Sequence, residues 1–105
     1  METAFEQALN LKDSVEYQPG AVIRKTIIQK EGGSVTLVAL DGKEVEEHSV
    51  PFAAMVAVVD GEIEFTIEGT PHRVREGEYI LMSPNKKHVV RPIGRSKFLL
   101  ILLRG

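Results

Sequence analysis

A chain of 105 residues with 43% hydrophobic and 27% charged side chains has the size and composition of one globular domain rather than of a disordered segment. The formal net charge of -2 offers no basic surface for nucleic acid, and the apolar runs, Phe98–Leu103 among them, are too short to cross a bilayer, so the expected partner is a small molecule, with neither nucleic acid nor membrane. The lack of cysteine excludes disulfides, thiolate metal sites and cysteine nucleophiles. Together with an N-terminus that shows no signal-peptide pattern, it makes the cytoplasm the expected compartment.

From the N-terminus, residues 1–19 read as an arm and residues 20–105 as the domain. Within the arm Thr3–Leu11 is a helical candidate, with Phe5, Ala8 and Leu9 as a short apolar stripe. After it, turn signals recur at short intervals: Pro19-Gly20, Gly32-Gly33, Asp41-Gly42, Asp60-Gly61, Glu68-Gly69, Glu76-Gly77, Pro84-Asn85 and Ile93-Gly94. The segments between them are rich in Val, Ile, Thr and Phe, the pattern of an all-β sandwich or barrel built from hairpins. Glu62–Glu68 alternates, with Ile63, Phe65 and Ile67 facing a core and the glutamates facing water. Ser34–Leu40, Ala53–Val59 and Lys97–Leu103 are apolar on both faces. A small sandwich has one core face per sheet, so the second apolar face of these strands calls for a cover. A homodimer interface is the expectation, and coverage by the N-terminal arm is the alternative.

Two spacings carry chemistry. Gly42 is followed after five residues by His48, then by Val50, Ala54 and Gly61. Downstream, Gly77 is followed by Pro84, Asn85 and His88. These resemble the two motifs of the cupins: a glycine, five residues, His-x-His, a glutamate and a glycine, and later a glycine, a proline-glycine turn and a third histidine. Gly42, His48, Gly61, Gly77 and His88 match in position, over a resemblance that spans roughly residues 20–103. It identifies the chain as similar to the small single-domain cupins of the conserved-barrel type and implies a double-stranded β-helix, or jelly roll, usually dimeric. Asn85 stands where the family has glycine, a replacement that tolerates the left-handed backbone. Pro84 falls one place later than the family's proline.

In cupins that hold a metal, three histidines and a glutamate meet inside the barrel. Imidazole and carboxylate suit a divalent transition metal such as iron, manganese, nickel, copper or zinc. The resemblance carries over only His48 and His88 as metal ligands, because Val50 and Ala54 occupy the other two positions. Three readings of that pair stay open: two histidines held by hydrogen bonds with no metal, a two-histidine metal site completed by water or another ligand, and a metal-free pair that binds a small polar ligand. Glu46 shares the parity of His48 but sits at the start of its strand. His72 has inward parity, as a pocket or rim histidine, and Phe52, Met55, Phe65 and Met82 are candidate pocket walls, or else plain core. The functional expectation is a small cupin that binds a small molecule in its barrel, with or without a weakly held metal. The alternative is a metal-dependent enzyme of the dioxygenase or isomerase type with an incomplete site. A metal-free epimerase-like pair of His48 or His72 with Tyr79 is a further arrangement to check.

Overall fold

The structure, a computed structural model, describes residues 5–104. Among these residues nine strands form two antiparallel sheets. They are β1 (Val22–Lys30), β2 (Gly33–Asp41), β3 (Val45–His48), β4 (Ala53–Asp60), β5 (Glu62–Ile67), β6 (Thr70–Arg75), β7 (Tyr79–Met82), β8 (His88–Pro92) and β9 (Arg95–Leu103). One sheet has the order β1-β2-β9-β4-β7 and the other β3-β8-β5-β6. Apart from the hairpins β1–β2 and β5–β6, each successive strand passes to the other sheet, which is the jelly-roll arrangement.

The turn signals fall between strands as their chemistry requires. Gly61, at φ 75°, makes the one-residue hinge between β4 and β5. A Cβ there would collide with the carbonyl oxygen of Arg95, so glycine is needed for room as well as for its dihedral angle. Asn85 adopts φ 66°, the left-handed conformation expected where the family places glycine, and its N–H donates to the carbonyl of Val50 at 2.8 Å. That bond ties the turn before His88 to the segment after His48.

The inner faces of the sheets build the core. Val38, Leu40, Ala54, Val56, Val58, Ile63, Phe65, Val74, Met82, Val90 and Phe98 are buried together. Fully burying side chains of this kind stabilises by roughly 1.5–3 kcal/mol each, before the entropy of ordering the chain is counted.

The two outer faces differ. On the four-stranded sheet, Glu62 pairs with Arg73 at 2.7 Å and Glu64 with Arg91 at 2.8 Å, so alternation in β5 leaves a solvated, charged face. On the five-stranded sheet, the strands that read as apolar on both sides, β2, β9 and β4, lie side by side. The arm covers part of their outer face. Val15 is buried against Leu37 and Ala39, with Tyr17, Ile23, Val59 and Leu99 around them. Lys97 pins the arm. It is only 7% exposed, its Nζ donates to the carbonyl of Lys12 at 2.6 Å, and it sits 4.8 Å from the centre of the Tyr17 ring. The Tyr17 hydroxyl donates to Asp60 at 2.8 Å. Burial pushes the Tyr17 phenol well above its usual range, and the hydrogen bond to Asp60 and the charge of that carboxylate push the same way. Beyond the arm, a row of partners Ile28–Val35–Ile101–Met55–Leu81 crosses all five strands on the outer face, and Leu81 is 66% exposed.

The helix expected over Thr3–Leu11 is not formed where the structure describes it. Thr3 lies outside the described residues, Phe5–Leu11 is non-helical, and a single 3-10 turn follows at Lys12–Ser14. Phe5, Leu9 and Leu11 are exposed, so the apolar stripe has no surface to pack against. A helix this short has no stability of its own. Glu6 adopts φ 58°, which interrupts a right-handed helix.

Candidate functional site

Each strand that carries a chemical group does so through its alternation. His88 opens β8 on the inner face, with Val90 and Pro92 following the same parity, and all three are buried. His48 ends β3 and is paired directly with His88 in the register of the four-stranded sheet. An irregularity between Val45 and His48 shifts the register. It lets both Val45 and His48 face inward although they are an odd number of residues apart.

The two imidazoles meet edge to edge, with Nε2 of His48 3.1 Å from Nε2 of His88 and ring centres 4.2 Å apart. Their other nitrogens are already committed. Nδ1 of His48 lies 2.9 Å from the carbonyl of Glu46, and Nδ1 of His88 lies 3.1 Å from the carbonyl of Lys86. A carbonyl only accepts, so each Nδ1 carries the proton and donates. In neutral rings both Nε2 atoms then present lone pairs to one another. One cation between them, a proton or a metal ion, removes the conflict. Backbone carbonyls bound to Nδ1 are also how metal-ligating histidines are commonly oriented. His88 is buried and His48 is exposed at the rim. Burial lowers the pKa of His88, the charge of a protonated His48 lowers it further, and the carbonyl of Lys86 works in the opposite direction.

The pair borders a cavity of about 80 Å³ between the sheets. Its walls include Val38, Val56, Phe65, Met82, Phe98, Leu100 and Leu102. Phe65 stacks at a tilt on His88, with centres 5.4 Å apart. Val50 and Ala54 also line it. The four positions where cupins carry metal ligands therefore converge on one space, and two of them are aliphatic. Among the described residues, no group of three or more His, Asp or Glu side chains is placed to share a metal ion. The four-ligand centre of the family does not fit these residues, because the chain supplies two nitrogens and no carboxylate.

The other expected site residues divide. Phe65 and Met82 line the cavity. Phe52 does not. It precedes β4 and packs in a surface depression under the guanidinium of Arg104, 4.9 Å from its ring centre. Met55 has the opposite parity to Ala54 and Val56, which puts it on the outer face of the five-stranded sheet. His72 is opposite Phe65 in register, so its parity is inward as read. However, β6 is an edge strand two places from β8, and His72 is exposed beside Gly77 and Tyr79. Tyr79 pairs with Ala57 on the outer face and is 61% exposed, so it forms no acid–base pair with His48 across the cavity.

Sequence reasoning missed Arg24. It lies on β1 with Val22 and Thr26, opposite Val38 in register, and lines both the cavity and a groove at its mouth. The signal was a cationic residue at the parity that faces the core.

Two packed antiparallel sheets closing on a histidine-bearing cavity define a jelly-roll barrel. A cupin-domain family model matches residues 34–103, and the chain belongs to the cupin family. Among solved structures it is similar to a conserved protein of unknown function from Streptococcus pyogenes, at 28% identity and a TM-score of 0.92, covering 98% of this chain and 91% of that one. It is 33% identical, with a TM-score of 0.87, to a cupin 2 conserved barrel domain protein from Leptotrichia buccalis, covering 91% of this chain and 47% of that one. A cupin superfamily protein from Desulfitobacterium hafniense shares the fold at 21% identity and a TM-score of 0.90, covering 97% of this chain and 94% of that one. No curated protein matches the chain.

Proposed function

We propose that this cupin binds a small molecule in its barrel, with the His48–His88 pair as the polar end of an otherwise apolar cavity. The observation that carries the reading is the facing of two Nε2 atoms at 3.1 Å, with both Nδ1 atoms on carbonyls, at the edge of that cavity. A site so arranged takes up a cation or a donor group that neither ring provides alone. A divalent transition metal (iron, manganese, nickel, copper or zinc) held there would have two protein nitrogens and be bound weakly, since catalytic zinc sites keep three protein ligands. The alternative is a metal-dependent enzyme of the dioxygenase or isomerase type. It draws on the same pair, and Val50 and Ala54 weigh against it.

The functional unit proposed is a homodimer, formed through the apolar row on the outer face of the five-stranded sheet that the arm leaves uncovered.

The test is metal analysis of protein purified without a histidine tag, before and after incubation with iron, nickel or zinc, beside the His48→Ala/His88→Ala double variant. Weak, sub-stoichiometric metal lost in the variant is expected. A ligand screen by thermal shift accompanies it, and a stabilising compound whose effect survives chelation and disappears in His88→Ala supports binding without metal. A barrel that accepts neither metal nor any compound overturns the proposal.

A further inference from the structure

The cavity is aliphatic along most of its wall, and its polar groups are His48, His88 and Arg24. Arg24 is the one permanently charged side chain among them. Its guanidinium has no ion pair or hydrogen bond among the described residues, whereas Arg73, Arg75, Arg91 and Arg95 all pair with carboxylates. Glu44, Glu46 and Glu47 edge the groove outside the mouth, yet none lies within salt-bridge distance of Arg24. Arg24 is exposed at the cavity mouth, so its guanidinium is met by solvent and can turn to a ligand's anion without breaking an ion pair. The planar fork of arginine favours carboxylate, which it can grip through two parallel hydrogen bonds.

Building on the ligand-binding reading above, we propose that the ligand is a small monocarboxylic acid with a short apolar body. Its carboxylate is held by Arg24 at the mouth, and its hydrocarbon end lies against Val38, Val56 and Leu100. The size follows from the cavity. A cavity of about 80 Å³ suits a short hydrocarbon body rather than a long or branched one. The charge follows from the rim, where Glu44, Glu46 and Glu47 outnumber the cations Arg24 and Lys43 and so disfavour a second negative charge, as in dicarboxylates and phosphates. Nothing in this arrangement requires a metal.

The experiment is a chemical-shift titration of the protein in excess chelator with butyrate, 1-butanol and succinate, repeated on Arg24→Gln. Butyrate is expected to bind about tenfold or more tighter than 1-butanol or succinate, a ratio typical of a charge-assisted hydrogen bond. Arg24→Gln is expected to erase that preference while leaving 1-butanol within about twofold, with unchanged amide dispersion showing that the variant is folded. Equal binding of butyrate and 1-butanol, or butyrate binding untouched by Arg24→Gln, overturns the arginine clamp and leaves the apolar pocket standing. Succinate binding as tightly as butyrate overturns the selection for a single charge. Failure of all three probes to shift any cavity residue overturns both the clamp and the pocket.

Discussion

Replacing Lys97 by methionine tests how the N-terminal arm is held. Methionine keeps a similar stem and removes the ammonium. The change deletes the 2.6 Å bond from Nζ to the carbonyl of Lys12 and the contact with the Tyr17 ring. A hydrogen bond from a charged donor contributes about 1.5–3 kcal/mol net. A partly buried cation over an aromatic ring adds about 0.5–1 kcal/mol. Relief of the desolvation of a buried ammonium offsets part of this, which leaves a loss of about 2 kcal/mol for the docked arm. Each 1.4 kcal/mol is tenfold, so the open form of the arm should become roughly 30-fold more populated. The assay is limited tryptic cleavage after Lys12, with rates taken under conditions where arm opening is fast relative to cutting. Lys97→Met should be cut roughly 30-fold faster, and cleavage should precede any loss of the barrel. Release would expose Leu37 and Ala39, which Val15 now covers. Cleavage within about twofold of the parent would refute the reasoning and assign the hold on the arm to Val15 burial alone.

Three further outcomes can be checked. Restoring the family's ligands with Val50→His and Ala54→Glu should create a four-ligand site, because both positions already face the same cavity as His48 and His88. Zinc or nickel affinity by competition with a chelator should rise by about 100-fold or more, and no gain would show that the backbone there does not aim the side chains inward. The Tyr17 phenol is protonated more firmly in the folded chain than in the unfolded one. Its contribution is therefore complete below about pH 10, the ordinary value, and is lost as pH rises through the higher folded value. Urea denaturation should show a decline above about pH 10 that is absent in Tyr17→Phe. Met55→Glu places a charge within the half-exposed apolar row. The parent should sediment as a dimer at micromolar concentration and the variant as a monomer, and a monomeric parent refutes the dimer.

The architecture was legible because hairpin turns and strand alternation are local. Asp60-Gly61 and Glu76-Gly77 announce their turns without tertiary help, and the parity of Ile63, Phe65 and Val74 follows from a period of two. The convergence of positions 48, 50, 54 and 88 was legible through motif spacing. What parity could not supply was cover. His72 has the same parity as Val74, but its strand is an edge, and inward direction there ends in solvent. Met55 was misjudged for the opposite reason. In a strand apolar on both faces, parity has no polar residues to fix its phase, and Met55 falls outward while Ala54 falls inward. Arg24 was hidden because a charged residue near a strand start reads as plain surface; it is indeed exposed, and only its register with Val38 puts it at the cavity mouth. The arm's role depended on Lys97, an apparent surface lysine whose burial comes from contacts far away in sequence.

The mouth of the barrel lies between β1 and β3, which bear Arg24 and His48 and are the outermost strands of their respective sheets. No ladder bond joins them among the described residues. The two lips can part by a change in the angle between sheets, with every backbone hydrogen bond of both sheets intact. Admission of the proposed ligand would then be opposed chiefly by Val22 and Val45, which line the groove and pack against the core. Size selectivity in this barrel would be elastic at the entrance and rigid at the floor, where Phe65, Val56 and Phe98 are locked between fully paired strands.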